Sequence, residues 1–267
     1  MATITKDELG RLQLLVDSLG HDLEPSILIG GWATQLRVGG EVSKDIDLII
    51  NDPSLRTKLR EVLDDYTENG HHSGGRKGRG TANGVHVDAY IPYESMLGDR
   101  LRLKVDVLSQ HVEPERVKGW LMLTLEAHLA TKFAALLDRA DSEKGHKDAR
   151  EIVRLFELGP SAADTVKVLR EATATDPDTI QQHVSDVFDL VPDRAMLNKQ
   201  ARRTFAQLKR QWVEEAARQG AGTPGTVQIQ MPFLAQGRQP KGAPGSTGGQ
   251  FSRKAATPPA EGLRRTD

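Results

Sequence analysis

The sequence predicts an α/β fold, a mixed sheet with flanking helices over residues 1–120, followed by a helical domain over residues 121–218 and a disordered, basic, Gly/Pro-rich tail over residues 219–267. Three observations support this. Short apolar or alternating runs in the first part are separated by stretches of helical periodicity, the pattern of strands interleaved with helices. From Leu125 onward apolar residues recur only at helical spacing. From Gly220 that spacing is lost, so too little apolar surface is buried to offset backbone ordering at about 1–2 kcal/mol per residue.

Taken in order, Leu9, Leu12, Val16 and Leu19 predict an amphipathic opening helix over residues 6–19. Ile27 to Ile29 reads as a short buried strand, which Gly30 and Gly31 end. Trp32 to Arg37 then begins a helix whose free N–H groups point back at the strand end, a favourable place for phosphate. Ile46 to Ile50 is a second strand, followed by a helix with Leu55, Leu59, Val62 and Leu63 inward. Residues 69–84 are Gly-, His- and Arg/Lys-rich and predict a mobile loop. Val85, Val87, Ala89 and Ile91 make one face of a third strand, and Leu101 to Val107 alternates as a fourth. Helices are expected over 125–138, 142–158 and 162–217, with starts or breaks at Asp176-Pro177-Asp178 and Pro192-Asp193.

Composition excludes several classes. The chain has 267 residues, 36 basic against 37 acidic, so bulk charge does not drive it onto nucleic acid, and any RNA contact must come from local patches. It has no Cys, which removes disulfides, thiolate metal sites and Cys nucleophiles. No signal-peptide core and no apolar run of 18 residues is present, so a cytoplasmic location and no membrane partner are expected.

The chemistry concentrates in acids. Asp45 and Asp47 alternate with Ile46 and Leu48, so on a strand both carboxylates leave one face. Like charges about 4 Å apart repel by roughly 4 kcal/mol at an effective dielectric near 20. Such a pair therefore needs a cation or a proton. Asp88 lies opposite the apolar face of the third strand, and the three acids together suit a hard divalent ion, Mg²⁺ or Mn²⁺. Asp106 is a rival third acid, but Arg102 and Lys104 share its face. Ser43 serves either as a phosphate ligand or as a turn cap. Arg76, Lys77 and Arg79 are candidates for phosphate or RNA contact, whereas His71 and His72 lack further ligands at metal spacing.

The Gly30-Gly31 turn opening a helix, then Ser43-x-Asp45-x-Asp47 and the later Asp88, resembles the nucleotidyltransferase superfamily. The run Thr124 to Arg139, followed by His146-Lys147-Asp148 to Leu155, is similar to AbiEii/MenT-type nucleotidyltransferase toxins of toxin–antitoxin systems. The resemblance implies a nucleotidyltransferase-like fold and transfer of NMP from an NTP to an acceptor hydroxyl, with release of pyrophosphate. Asp45, Asp47 and Asp88 would hold metal, and Asp88 would activate the hydroxyl. Gly30, Gly31, Ser43, Lys44 and Lys132 would bind the nucleotide, and Asp148 would orient Lys132 or the acceptor. The acceptor would be the tRNA 3′ end and a cognate antitoxin the partner. A small-molecule acceptor and a non-catalytic nucleotide- or partner-binding module are the alternatives. One residue departs from the pattern: Glu41 stands where the toxins carry Arg, with Arg37 or Lys44 as substitutes.

Overall fold

A computed structural model describes residues 23–220 apart from 53 and 72–74, together with residues 10, 18 and 19. The expected opening helix falls mostly outside the described residues; of the expected tail over 219–267, residues 219 and 220 belong to the last helix and the rest falls outside the described residues. Strand β1 (Ile27–Ile29) is three buried aliphatic residues, and the Gly pair after it opens helix α1 (Gly30–Val38). β2 (Asp45–Ile49) returns antiparallel to β1, with Ile29 opposite Asp47. After α2 (Leu55–Val62) come β3 (Asp64–His71), β4 (Gly75–Ala82) and β5 (Val85–Leu97). β5 lies parallel to β2 and pairs Asp47 with Asp88 and Asp45 with His86.

The short β6 (Leu103–Lys104) and β7 (Leu121–Met122) complete a mixed sheet of order β3-β4-β5-β2-β1-β7, with β6 off this path on β5. Helices α3 (Val105–Leu108), α4 (Leu125–Arg139), α5 (Glu143–Phe156), α6 (Ala162–Ala172), α7 (Ile180–Arg194) and α8 (Lys199–Gly220) account for most of the remaining described chain.

Strand alternation divides the core. Leu28, Ile46, Leu48, Val87 and Ala89 face one way, onto Trp32, Leu36, Leu55 and Leu59 of α1 and α2. Ile27, Ile29 and Ile49 face the other way, onto the helices from α4 on. Asp45 and Asp47 share the face of Ile49, so the acids point toward the helical layer. That layer is fastened by Phe133, Phe156, Phe188, Phe205 and Trp212, whose ring centroids lie 5.0–6.5 Å apart. Such pairs add about 0.5–1.5 kcal/mol each beyond area burial.

Three local expectations are corrected. Residues 69–84 are not a loop: apart from 72–74, most of this stretch lies in the β3–β4 hairpin. The glycines there permit close approach, since a Cβ on Gly78 would lie 2.4 Å from the Tyr66 hydroxyl. The strand expected over 101–107 shrinks to two residues, because Ser109 N–H bonds to Val105 O and closes a helical turn containing Asp106. Leu101, Leu103 and Val105 are buried either way, so their alternation does not separate the two conformations. Pro192 does not break its helix but sits in the last turn of α7, which ends at Arg194 with a turn at Ala195 and Met196 after it. Asp176, by contrast, does start a helical turn, its carboxylate accepting from the Asp178 N–H at 3.0 Å.

Candidate nucleotide-transfer site

The acids stand at one end of β2 and β5. Asp47 and Asp88 are register partners on adjacent parallel strands, and Asp45 is two residues before Asp47 on the same face. Burial, and next the Asp88 charge beside it, push the Asp47 carboxyl up to about 6. Asp45 behaves oppositely: burial would raise it, but the Lys144 ammonium 2.8 Å from its Oδ2 outweighs that and holds it below the usual range. Asp88 carries two cations from β4, Lys77 Nζ at 2.7 Å and Arg79 Nε at 3.0 Å. Arg76 points elsewhere, to Glu68 at 3.3 Å and Glu94 at 3.8 Å. Its expected phosphate contact therefore has a competing acidic pair in this conformation.

The Gly turn fits against this face. Gly30 has φ +69°, and a Cβ there would sit 2.2 Å from Asp47 Oδ2. Gly30→Ala must therefore displace the carboxylate and strain the turn; we expect NTP-dependent activity to fall at least about 100-fold with the fold retained, checked by label transfer beside circular dichroism. Behind the turn Thr34 Oγ1 donates to Gly30 O at 3.1 Å, and buried His128 places Nε2 3.1 Å from that same hydroxyl. Burial, with Lys132 and Arg37 nearby, keeps His128 well below the ordinary histidine range and hence neutral. With the Thr34 proton committed to Gly30, Nε2–H is the donor, which leaves Nδ1 as the bare acceptor without a partner among the described residues.

Beneath the acids lies a buried ionic cluster built by α4 and α5. Lys132 Nζ is 2.5 Å from Glu151 Oε2 and 3.5 Å from Asp148 Oδ1, all three side chains being at most 5% exposed. Arg139 Nε reaches Asp148 Oδ2 at 2.7 Å. Burial alone would lower Lys132, yet Glu151 and Asp148 outweigh it and hold its pKa above the ordinary value. The Lys132–Asp148 pairing expected from resemblance is thus present, with Glu151 the nearer partner.

The outer row of α5 reaches the segment before Asp45. Lys144 bonds Asp45, Lys147 Nζ lies 3.3 Å from Val42 O, Arg150 Nε lies 2.5 Å from Glu41 Oε1, and Arg154 lies 3.5 Å from Gly39 O. Glu41, held below its usual range by the Arg150 hydrogen bond, is therefore an anchor for α5. Arg37, one expected substitute for the missing Arg, is occupied by Glu113 and Leu123 O, each at 2.7 Å. Lys44 is exposed. Glu41→Arg should set two cations together and lose about 0.5–1 kcal/mol in urea unfolding, and Glu41→Arg/Arg150→Glu should recover it.

In donor type these residues fit a hard divalent ion: carboxylate oxygens on one face, with the Asp47 carboxyl pushed up by burial and next by the Asp88 charge beside it. Among the described residues no three His, Cys, Asp or Glu side chains stand close enough to hold a metal. Asp88 is paired with Lys77 and Arg79 instead, so a cation would meet Asp45 and Asp47 first, and Asp88 would join only on release from that pairing. No helix among the described residues is long and apolar enough to cross a membrane.

The model of a family described as nucleotidyl transferase AbiEii toxin, type IV TA system, matches residues 13–228. No curated protein matches in sequence. Among solved structures, a nucleotidyltransferase-like antigenic protein from Paracoccidioides brasiliensis is 19% identical over 59% of this chain and 79% of that one, with a TM-score of 0.37. ANT(2'')-Ia in complex with adenylyl-2''-tobramycin is 16% identical over 61% and 95%, with a TM-score of 0.42. A Thermotoga maritima CCA-adding enzyme complexed with tRNA is 10% identical over 78% and 71%, with a TM-score of 0.27. With more than half of its residues matched by the family model, the chain belongs to the AbiEii nucleotidyl transferase toxin family.

Proposed function

We propose that this chain is a metal-dependent nucleotidyltransferase that moves NMP from an NTP to an acceptor hydroxyl, with RNA, in particular the tRNA 3′ end, as the acceptor. The observation that carries the reading is the meeting of Asp47, Asp88 and the Gly30 turn, where Gly30 leaves room for the Asp47 carboxylate and nothing larger than hydrogen. A divalent cation held by Asp45 and Asp47, joined by Asp88, would neutralise triphosphate charge when bound. The turn, Ser43 and Lys44 seat phosphate oxygens. Lys132 supplies buried positive charge beneath Asp47, and Asp148 with Glu151 fixes its position.

In the transfer step the acceptor oxygen bonds to the α-phosphorus while the bond from that phosphorus to the bridging oxygen of the β-phosphate breaks. Pyrophosphate leaves, and the hydroxyl proton passes to Asp88. Lys77 and Arg79, on leaving Asp88, become available to the nucleotide or the RNA backbone. A cognate antitoxin would act by covering this face.

The test is an acceptor screen. Purified protein with Mg²⁺ and each labelled NTP is offered total tRNA and, separately, aminoglycosides. Label on the tRNA 3′ end supports the reading. Label on aminoglycosides alone replaces RNA by a small-molecule acceptor, and NTP binding without pyrophosphate release replaces the enzyme by a binding module.

A further inference from the structure

The expected phosphate ligand of the site, Lys132, is the least free of its cations. Its side chain is 5% exposed, with the ammonium wedged between Glu151 and Asp148. Moving it to a phosphate would strip its cation from two buried carboxylates, a costly exchange. A different lysine lies at the mouth of the Gly turn. A Cβ on Gly31 would meet Ser43 Oγ at 2.8 Å and Lys147 Nζ at 3.2 Å, so the ammonium and the hydroxyl both border the space that Gly31 leaves open.

We propose that Lys147 is the lysine that binds the triphosphate of the incoming nucleotide, together with Ser43 and over Gly31, while Lys132 remains buried as the positioning cation. The inference rests on the nucleotidyl-transfer reading of the site and names the ligand for its substrate's phosphates. Elimination among the α5 cations supports it. Lys144 and Arg150 are committed to carboxylates at 2.8 and 2.5 Å, and Arg154 is laid over Gly40 with its nearest acceptor, Gly39 O, at 3.5 Å. Among the described residues Lys147 has a carbonyl at 3.3 Å and its nearest carboxylate, Glu151, at 3.7 Å.

Its side chain retains 19% exposure, so it can turn to a ligand without unearthing a buried pair. Ser43 Oγ has no hydrogen-bond partner among the described residues and is equally available. A lysine ammonium is a compact point charge with three donors, suited to oxygens shared between phosphates. The sequence hides this role because Lys147 lies in a Lys/Arg-rich helix face that reads as solvated.

The test is calorimetric titration of the full chain with Mg²⁺ and inorganic tripolyphosphate, ATP or AMP. Lys147→Met should weaken tripolyphosphate and ATP binding on the order of tenfold to a hundredfold. AMP binding should be unchanged, and Lys147→Arg should restore most of the loss. Lys167→Met, the same charge change on α6, should bind as wild type does. Equal tripolyphosphate affinity in wild type and Lys147→Met would overturn the inference while leaving the site reading intact. A loss shared equally by AMP would also overturn it, because that pattern marks a structural defect. A wild-type chain that binds neither tripolyphosphate nor ATP would remove the nucleotide site itself, and this role with it.

Discussion

Asp47→Asn is expected to abolish nucleotidyl transfer while making the metal-free protein more stable. Loss of one ligand oxygen's charge should cut the rate about 100- to 10,000-fold, the scale of several kcal/mol of charge stabilisation. The stability gain follows from the raised carboxyl, which titrates near 6 in the fold against 3.8 for the free group, chiefly through burial and then through Asp88. Between those two pH values the folded protein holds more protons than the unfolded chain. Its stability therefore falls as pH rises, and the penalty is complete above about pH 6. Asparagine carries no such penalty, so the variant should gain at most about 3 kcal/mol at pH 8. Thermal melts in EDTA should show wild type and variant several degrees apart at pH 8 and converging near pH 4. Convergence at pH 8, or divergence growing on acidification, would mean that Asp47 is not the strained acid.

The second large effect is on folding. Lys132→Met leaves Glu151 and Asp148, both 2% exposed, without their shared cation. Arg139 still reaches Asp148, but the nearest remaining cation to Glu151 is Lys147 at 3.7 Å. Breaking such a buried pair from one side costs about 3–5 kcal/mol. Equilibrium urea unfolding should show that loss, and Lys132→Met/Glu151→Gln should recover more than half of it by removing the orphaned charge. Additive losses in the double variant would show that Lys132 and Glu151 are not coupled as their 2.5 Å contact requires.

The legible parts of the fold were those whose sequence period has one structural meaning. Asp-Ile-Asp-Leu-Ile can be a half-buried strand and little else, and it is one. The Gly30-Gly31 pair marked the strand-to-helix turn because nothing else tolerates φ +69° against a carboxylate. The hairpin was not legible, since glycine serves flexibility and close packing alike, and only the presence of Tyr66 over Gly78 decides between them. Leu101 to Val107 failed for a related reason, as burying alternate residues is compatible with a strand running into a helical turn.

At the candidate site the acids could be read from their own pattern, but their counter-ions could not. Lys77, Arg79 and Lys144 meet Asp88 and Asp45 across 9 to 99 residues of sequence separation. Lys77 and Arg79 read from sequence as phosphate or RNA contacts, with nothing to pair them with Asp88. Glu151 and Asp148 likewise lie on a helix whose polar face appears exposed until α4 packs against it. Resemblance pointed to Asp148; only the helix pairing revealed Glu151. His86 and His128 carried no sequence signal, one being exposed beside Asp45 and the other buried behind the turn.

The most direct measurement is anomalous diffraction at the manganese edge from crystals grown with Mn²⁺ and a non-hydrolysable NTP. The account predicts a peak bonded to Asp45 and Asp47, with the triphosphate over Gly31 and Asp88 no longer held by both Lys77 and Arg79. A nucleotide bound with its metal away from β2, or an acid face that stays salt-bridged and empty at saturating ligand, would contradict it.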